Sequence, residues 1–486
     1  MSSDLLRELQ TSLYHAHPEL LLVGFSLIFV VVGAWFGQRS FGVISALGVI
    51  TLAAAGVLAV VERPLAPLET FSHELVVDGV GVFAKALIAF SAAFNLALGW
   101  DYFTKSGEKR FEFPVLVVLS VLGMFVMVSA RDLIALYVGV ELQSLAAYVL
   151  AAWRRDETRS SEAGLKYFVL SALSSGLLLY GASFIYGFTG SVRFDDIANA
   201  VSQGAGLGVI FGLVLMLCAL GFKMSAAPFH MWTPDVYEGA PTPLTAFFAA
   251  APKVAAVALM ARLLYGPFAS IAGQWEQVIE ALAAISMVLG SFAALLQTNL
   301  KRLMAYSSIG NMGFALMGLA SGRADGATAA LLYLALYLPA TIGIFALILA
   351  MRRDGQAVET IDDLAGTARQ RPLIATLFTA LLFSIAGVPP LAGFFGKYIV
   401  FLAAVNGGQV WLAVVGGVSA VVAAAYYLRI VAAIWFKPAG PALQPASGAV
   451  LFTATTATAL TFPVLVVALG WLQTWAEAAV RSGFGN

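Results

Sequence analysis

The sequence lacks the features with which proteins hold redox cofactors, metals and nucleotides. Its 486 residues include a single cysteine, Cys218, which excludes an internal disulfide and a cysteine-based metal cluster. Only four histidines occur, and none stands with Asp, Glu or Cys at metal-ligand spacing. There is no P-loop and no glycine-rich dinucleotide fingerprint. We therefore expect no cofactor, no metal and no redox centre in this chain itself.

Charged residues are also scarce. They make up 11% of the chain against 60% hydrophobic residues, the mean hydropathy is +0.89, and the formal net charge is zero. A soluble globular protein carries about 25% charged residues, so the composition indicates a polytopic membrane protein. The few basic residues are scattered rather than clustered, and we expect no nucleic acid as a partner.

Long apolar runs take the place of charge. Crossing the membrane hydrocarbon requires about 20 helical residues, and fourteen runs meet that length, separated mostly by short polar turns. This predicts an all-α fold of about 14 transmembrane helices without a soluble domain. The runs lie near 18–38, 40–61, 77–101, 111–130, 132–153, 162–187, 205–237, 242–264, 277–297, 299–321, 326–352, 372–405, 409–437 and 449–475.

Two of these runs are interrupted by proline. In residues 221–243, GFKMSAAPFHMWTPDVYEGAPTP, Lys223 precedes Pro228 by about one turn. Proline removes a backbone donor and clashes with the preceding turn, so the helix must stop there and leave carbonyls that need a partner. In residues 384–398, SIAGVPPLAGFFGKY, a second interruption at Pro389 and Pro390 precedes Lys397. Paired broken segments of this kind indicate a transport site near the bilayer midplane.

The two interrupted runs indicate an internal repeat. Segments 131–141 and 301–311 align, with Leu133 on Leu303 and Glu141 on Asn311, and the proline break recurs about 160 residues later. We expect two five-helix repeats, each containing a broken helix, with the second inverted because five is odd. The predicted units are 1–110 (three helices), 111–265 (first repeat), 275–438 (second repeat) and 449–486 (a carboxy-terminal helix).

Charges inside the runs are candidate functional residues, because a charge near the bilayer centre costs at least about 2.5–3.5 kcal/mol. Lys253 lies mid-run, too deep for its side chain to reach water by snorkelling. The alternatives are a structural buried lysine and, for residues near run ends, snorkelling to the headgroups. The six cations within runs are Lys85, Lys166, Lys223, Lys253, Lys397 and Arg429.

Only one acid, Glu141, falls deep within a run. An isolated carboxylate there would stay protonated unless a cation were close, and Lys166 or Lys223 is the expected partner. A glutamate beside lysines can hold or release a proton as its partner's charge changes, although it could instead pin two helices together. His230 follows Pro228 and either lines the cavity at the break or bonds to the freed carbonyls.

The loop cations indicate the orientation. With the amino terminus outside, fourteen lysines and arginines fall in inside loops and seven in outside segments. Both termini are therefore expected outside, on the periplasmic face of a bacterial inner membrane. The seven outside cations are Arg7, Arg63, Arg131, Arg193, Arg262, Arg323 and Arg481.

At these residues the chain resembles the antiporter-like membrane subunits of respiratory complex I, the proton-pumping NADH:quinone oxidoreductase, which are similar to subunits of multi-component cation/proton antiporters. The resemblance covers nearly the whole chain and is most specific at 221–253, 301–314 and 387–398. A lysine rather than a glutamate at 397 argues against the M type of these subunits, and the lack of a long carboxy-terminal extension argues against the L type, so we expect the N type.

The resemblance implies that Glu141, Lys223, Lys253 and Lys397 carry protons, with Lys166 matching a sixth-helix lysine of the family. Some family members place histidines on the eleventh helix between the central and outer lysines. Here that segment offers only Tyr333 and Tyr337, so water is expected to complete the path.

The function implied by the resemblance is proton translocation coupled to quinone reduction elsewhere in the complex. NADH, FMN, iron–sulphur clusters and quinone would then be held by partner subunits, and the chain would contact neighbouring antiporter-like and small membrane subunits and lipids. One alternative is a subunit of a sodium/proton antiporter without a redox partner. Another is a secondary transporter for an organic solute, which the three buried lysines disfavour.

Overall fold

The protein is described from a computed structural model covering residues 10–64, 66–353, 356–440 and 442–485. Arg7, one of the outside cations, lies outside the described residues. Within the described ranges, eleven helical segments are long and apolar enough to cross a membrane, and two shorter apolar helices accompany them. One of the eleven, 17–61, contains two helices joined by a 3-10 turn. The predicted count of about 14 transmembrane helices and the predicted division of the chain into four units stay predictions.

The helices follow the predicted apolar runs closely. Those of the amino-terminal third are α1 (His17–Phe36), α2 (Phe41–Val61), α3 (Gly79–Ser106), α4 (Glu112–Ser129), α5 (Leu133–Ala151) and α6 (Thr158–Thr189). Next come α7 (Phe194–Ser202), α8 (Leu207–Met224), α9 (Thr233–Gly239), α10 (Thr242–Ala249), α11 (Ala251–Tyr265), α12 (Ala272–Leu295), α13 (Leu300–Leu319) and α14 (Ala324–Ala350). The chain continues with α15 (Thr367–Gln370), α16 (Pro372–Ala386), α17 (Ala392–Asn406), α18 (Val410–Phe436), α19 (Gly448–Ala459), α20 (Leu465–Val467) and α21 (Leu469–Phe484).

Two short antiparallel hairpins lie in the loops. They are formed by β1 (Leu68–Thr70) with β2 (Leu75–Val77) and by β3 (Arg352–Arg353) with β4 (Gln356–Ala357). In the first hairpin Leu68 lies opposite Val77. Both hairpins are too short to form a separate layer, so the fold is built from helices.

Both predicted helix breaks are present. The first separates α8 from α9, and the second separates α16 from α17. The last apolar run differs from the prediction of one continuous helix, because the α-helix ends at Ala459 and a π turn follows, with Phe462 extended at φ −167° and ψ 124°. Pro463 follows directly, and a proline within a helix removes a backbone hydrogen bond.

The centre of the molecule is formed by α10, α11 and α14, whose side chains are almost all buried. In contrast, α6 and α18 turn most of their side chains outward. Glycines bring α4 and α5 together so closely that a Cβ at Gly123 would lie 2.3 Å from the Gln143 nitrogen. The same close approach joins α12 to α13, where a Cβ at Gly290 would lie 2.5 Å from the Gly310 nitrogen. Both predicted repeats thus contain a glycine-packed helix pair.

Two buried ion pairs join helices of the amino-terminal half, one of them involving the central helix α11. Arg262, counted above as an outside cation, lies in the last turn of α11, where its guanidinium donates to both Asp78 carboxylate oxygens at 2.7 and 2.8 Å and to the Val128 carbonyl at 2.9 Å. Lys85 pairs with Glu19 at 2.5 Å. Glu19 and Asp78 are therefore buried acids as well, although each lies at the start of its run and not deep within it as Glu141 does.

Candidate functional site

The two helix breaks close in the same way. At the first, Ser225 adopts φ +67° and the Ala226 nitrogen donates to the Gly221 carbonyl at 2.7 Å. At the second, Gly387 adopts φ +91° and the Val388 nitrogen donates to Phe383 at 3.0 Å. This left-handed residue with a bond back across the last turn is a Schellman ending, which satisfies some of the carbonyls at a helix end.

A lysine binds the carbonyl of the last helical residue at each break. The Lys253 ammonium, from the central helix α11, donates to the Met224 carbonyl at 3.3 Å, and Lys397 donates to the Ala386 carbonyl at 2.9 Å. These are the freed carbonyls that the proline breaks predicted. Because a helix C-terminus carries partial negative charge, both sites stabilise a protonated amine at a depth where water is scarce.

Lys223 lies at the end of α8 and binds hydroxyls instead. Its ammonium donates to Ser144 of α5 and Ser171 of α6, both at 2.7 Å, and the Tyr148 hydroxyl donates to Ser171 at 2.5 Å. Within the described residues no carboxylate lies within ion-pair distance of this ammonium. Hydroxyl groups both donate and accept hydrogen bonds, so the cluster can hold the lysine charged or neutral.

Glu141 lies one step from this cluster. It is half-buried on α5 and accepts a hydrogen bond from Ser175 of α6, one turn along from Ser171. Neither expected partner forms an ion pair with Glu141 among the described residues: Lys223 binds hydroxyls, and the Lys166 ammonium binds Asp235 at 2.7 Å and Glu162 at 2.6 Å. Lys166 is also partly exposed, so it can reach these two acids without desolvation.

Those two acids belong to a polar cavity at the inner end of the first break. Arg302 donates to Asp235 at 2.6 Å and to Glu238 at 3.0 Å. The cavity has a volume of about 210 Å³ and is lined by Arg159, Glu162, Ala163, Asp235, Glu238, Gly239 and Arg302. This pocket of mixed charge lies beside α9, the second part of the broken helix.

The predicted second repeat has its own polar cluster around Lys397. The Tyr333 hydroxyl donates to the side-chain amide oxygen of Asn311 at 2.7 Å, and the Tyr337 hydroxyl donates to the Ser308 hydroxyl at 3.4 Å. Lys397, Asn311 and both tyrosines line one cavity of about 10 Å³, close to the volume that one water molecule needs. Asn311 is the residue that the repeat alignment placed opposite Glu141. Glu141 lies near the cluster around Lys223, and Asn311 lies in the cluster around Lys397.

The remaining candidates lie at the edges of the breaks. Pro228, Pro389 and Pro390 are exposed on the surface of the isolated chain. His230 is half-buried, with its ring centroid 6.4 Å from that of Tyr306. Its Nδ1 has no hydrogen-bond partner among the described residues, so bonding of this nitrogen to a freed carbonyl is not observed.

The hydroxyl and amide groups of the site were missed from the sequence. Ser144, Ser171 and Ser175 hold the first cluster, and Ser308 and Asn311 belong to the second. Neutral polar residues are common in transmembrane helices, so the presence of these residues in an apolar run does not mark a site. The one available signal was the spacing of Ser171 and Ser175, which places both hydroxyls on one face of α6.

This architecture defines a class before any comparison: polytopic helical membrane proteins that move ions or protons past buried charges at broken helices. Residues 130–423 match the family described as NADH:quinone oxidoreductase/Mrp antiporter, transmembrane. A curated relative, NADH-quinone oxidoreductase subunit N of Rhodospirillum rubrum, is 49% identical over 96% of this chain and 96% of its own. The chain belongs to the NADH:quinone oxidoreductase/Mrp antiporter transmembrane family.

Solved structures share the fold. A chain of respiratory complex I from Thermus thermophilus superimposes with a TM-score of 0.82 at 32% identity, covering 95% of this chain and 100% of that one. A chain of the Mrp complex from a Dietzia species gives a TM-score of 0.87 at 22% identity, covering 97% and 98%. The second similarity shows the fold alone.

Proposed function

We propose that this chain is a proton-translocating membrane subunit of an NADH:quinone oxidoreductase, in which Glu141, Lys223, Lys253 and Lys397 pass protons across the bilayer. The observation that carries the proposal is the pair of buried lysines bound to the end carbonyls of two broken helices. Lys223, Lys253 and Lys397 are 6%, 1% and 7% exposed, and because burying a charge in a membrane protein is costly, such residues usually mark functional sites.

The first half of the path supports uptake from the inner face. The polar cavity around Asp235 would supply water to the first broken helix. Glu141 and Lys223 bind hydroxyls one turn apart on α6, Ser175 and Ser171, and Lys253 binds the next carbonyl along the break. A proton gained by one group changes the field at the next. Two unit charges 4 Å apart interact by about 4 kcal/mol at an effective dielectric constant near 20, enough to move a proton between neighbours.

The second half supports release toward the outside. Lys397 follows the second break on α17, which by the charge count runs toward the periplasm. Within this orientation both chain termini face the periplasm of a bacterial inner membrane. Energy for the cycle comes from quinone reduction, for which NADH, FMN, iron–sulphur clusters and quinone are held by partner subunits. The chain itself has no redox centre in this account.

The test is proton pumping in membrane vesicles that carry the Lys223→Ala variant within the complete enzyme. Loss of the amine should abolish most NADH-driven acidification, because a buried group that donates or accepts the proton contributes roughly 10²–10⁴-fold. Native gels should show nearly normal assembly, since Lys223 contacts only hydroxyls and aromatic rings. Full quinone reduction and acidification would remove Lys223 from the path. A sodium/proton antiporter would instead show acidification that depends on sodium and not on NADH.

A further inference from the structure

The gap between the two lysine clusters contains one polar side chain that nothing above has used. Tyr237 lies on α9, the inner half of the first broken span, and its side chain is fully buried. The Lys253 ammonium lies 5.9 Å from the centroid of its ring. Within the described residues its hydroxyl forms no hydrogen bond of ordinary geometry, although the Ser308 side chain lies near enough to bond to it. A buried hydroxyl is costly unless it has a partner, so its place beside Ser308 calls for an explanation other than packing.

The surroundings of this hydroxyl lead to the second cluster. Its polar neighbours are the side chains of Ser308 on α13 and Tyr337 on α14. Ser308 already accepts the Tyr337 hydroxyl at 3.4 Å, and Tyr337 lines the cavity that contains Lys397. Phe345 packs against the Tyr237 ring from the other side, with ring centroids 6.2 Å apart. Tyr237 is thus held between Lys253 and the second repeat.

We propose that Tyr237 carries protons between Lys253 and the Ser308–Tyr337 pair, and so joins the two halves of the path. This inference rests on the proposed function. The sequence predicts that water carries protons between the central and outer lysines, because the predicted eleventh helix offers only tyrosines there. The proposal gives part of that transfer to a tyrosine of the first broken helix.

The step balances without any oxidant or cofactor. The Lys253 ammonium gives a proton to the Tyr237 oxygen as the Tyr237 hydroxyl proton passes to Ser308. The Ser308 proton passes to Tyr337, and the Tyr337 proton crosses the shared cavity to the Lys397 amine. Each hydroxyl ends neutral. Lys253 ends as a neutral amine and Lys397 as an ammonium, and water within the site can bridge any single transfer.

The direct test is Tyr237→Phe, which removes one oxygen and keeps the ring against Lys253 and Phe345. In membrane vesicles of the complete enzyme we expect about a tenfold fall in protons translocated per second, which is less than the roughly 10²–10⁴-fold contribution of a positioned proton carrier because water can bridge part of the gap. Assembly should be unchanged, since the hydroxyl makes no contact that packing needs. The matched control is Tyr265→Phe. That tyrosine is also buried and lies on α11, but its hydroxyl donates to the Leu319 carbonyl at 2.8 Å, away from the path.

Two further variants separate proton carriage from packing. Tyr237→His keeps a proton-carrying group and should restore part of the rate, with a solvent deuterium effect that differs from that of the wild type. Ser308→Ala should reproduce the Tyr237→Phe defect, and the double variant should be no slower than either single one. Wild-type translocation in Tyr237→Phe overturns the proposal, as does an equal loss in the Phe and His variants. If Lys223→Ala is inactive while Tyr237→Phe is normal, only the assignment of Tyr237 fails.

Discussion

At the scale of single residues, five lysines within the predicted runs differ in the groups that bind them. Lys223, Lys253 and Lys397 bind neutral oxygens, either hydroxyls or helix-end carbonyls. Lys85 instead binds a carboxylate, and Lys166 binds two. A lysine held by opposite charge keeps its proton, whereas one held by neutral groups can exchange it. This difference was invisible from the sequence, because Lys166 and Asp235 are 69 positions apart.

Replacing Glu141 tests the inner part of the path. Glu141→Gln keeps a group that can accept the Ser175 hydrogen bond but cannot take up a proton, so we expect acidification to fall by about tenfold or more at normal assembly. Lys166→Ala is the control, because its partners Asp235 and Glu162 stay solvated, and it should have a much smaller effect. Equal losses in both variants would show that the inner face, and not the carboxylate, limits the rate.

Lys397 is predicted to exchange its proton rather than serve as a fixed charge. Arginine holds its proton at all accessible pH values, so Lys397→Arg should keep charge and assembly yet slow coupled turnover. Lys397→Ala should slow it at least as strongly. The rate of NADH-driven quinone reduction, measured with and without an uncoupler, reports the effect. An arginine variant that pumps at the wild-type rate would leave Lys397 as a fixed charge and place the exchanging site at Lys253.

At the scale of elements, the breaks could be predicted and their closure could not. Proline in an apolar run forces a helix to stop, so the helix breaks within 221–243 and 384–398 could be predicted directly from the sequence. The lysine that binds the first break, Lys253, comes from another helix 29 residues away, and such pairings depend on packing. The break after Ala459 was missed although Pro463 marks it, because that run carries no charge to draw attention to it.

The left-handed residue at the first break gives a test of this closure. Ser225 adopts φ +67°, where glycine is unstrained and a β-branched residue is severely strained. Ser225→Gly should leave thermal stability of the purified complex nearly unchanged. Ser225→Val should destabilise it by about 1–3 kcal/mol. It should also slow pumping, because the strained turn would displace the Met224 carbonyl that binds Lys253. If both variants unfold at the same temperature, the left-handed conformation at this residue is wrong.

The buried pair between Asp78 and Arg262 is predicted to be structural. Removing one partner of a buried ion pair typically costs about 3–5 kcal/mol, so Arg262→Met should impair assembly, as read from native gels. Asp78→Asn with Arg262→Met removes both charges and should restore part of it. The pumping rate per assembled complex should stay near that of the wild type. A low rate at full assembly would place the pair in the proton path.

At the scale of the whole molecule, orientation rests on the loop cations alone. The count predicts that the loop of Arg154 is inside and that Arg193 is outside. In a Cys218→Ala background, a cysteine at Asp156 should be shielded from an impermeant thiol reagent added outside, and one at Arg193 should react, since both positions are exposed. The opposite pattern would invert the topology and exchange the uptake and release sides.

The central claim is that one proton path crosses the whole subunit through Lys253, the fully buried lysine on its central helix. The most direct measurement is the ratio of protons translocated to NADH oxidised in reconstituted vesicles carrying Lys253→Met, an uncharged side chain of similar length. The account predicts normal assembly and a lower ratio of protons translocated to NADH oxidised. Where pumping and quinone reduction are tightly coupled, it predicts instead that the rates of proton translocation and of NADH oxidation both fall by about tenfold or more. A wild-type ratio at the wild-type rate would contradict it.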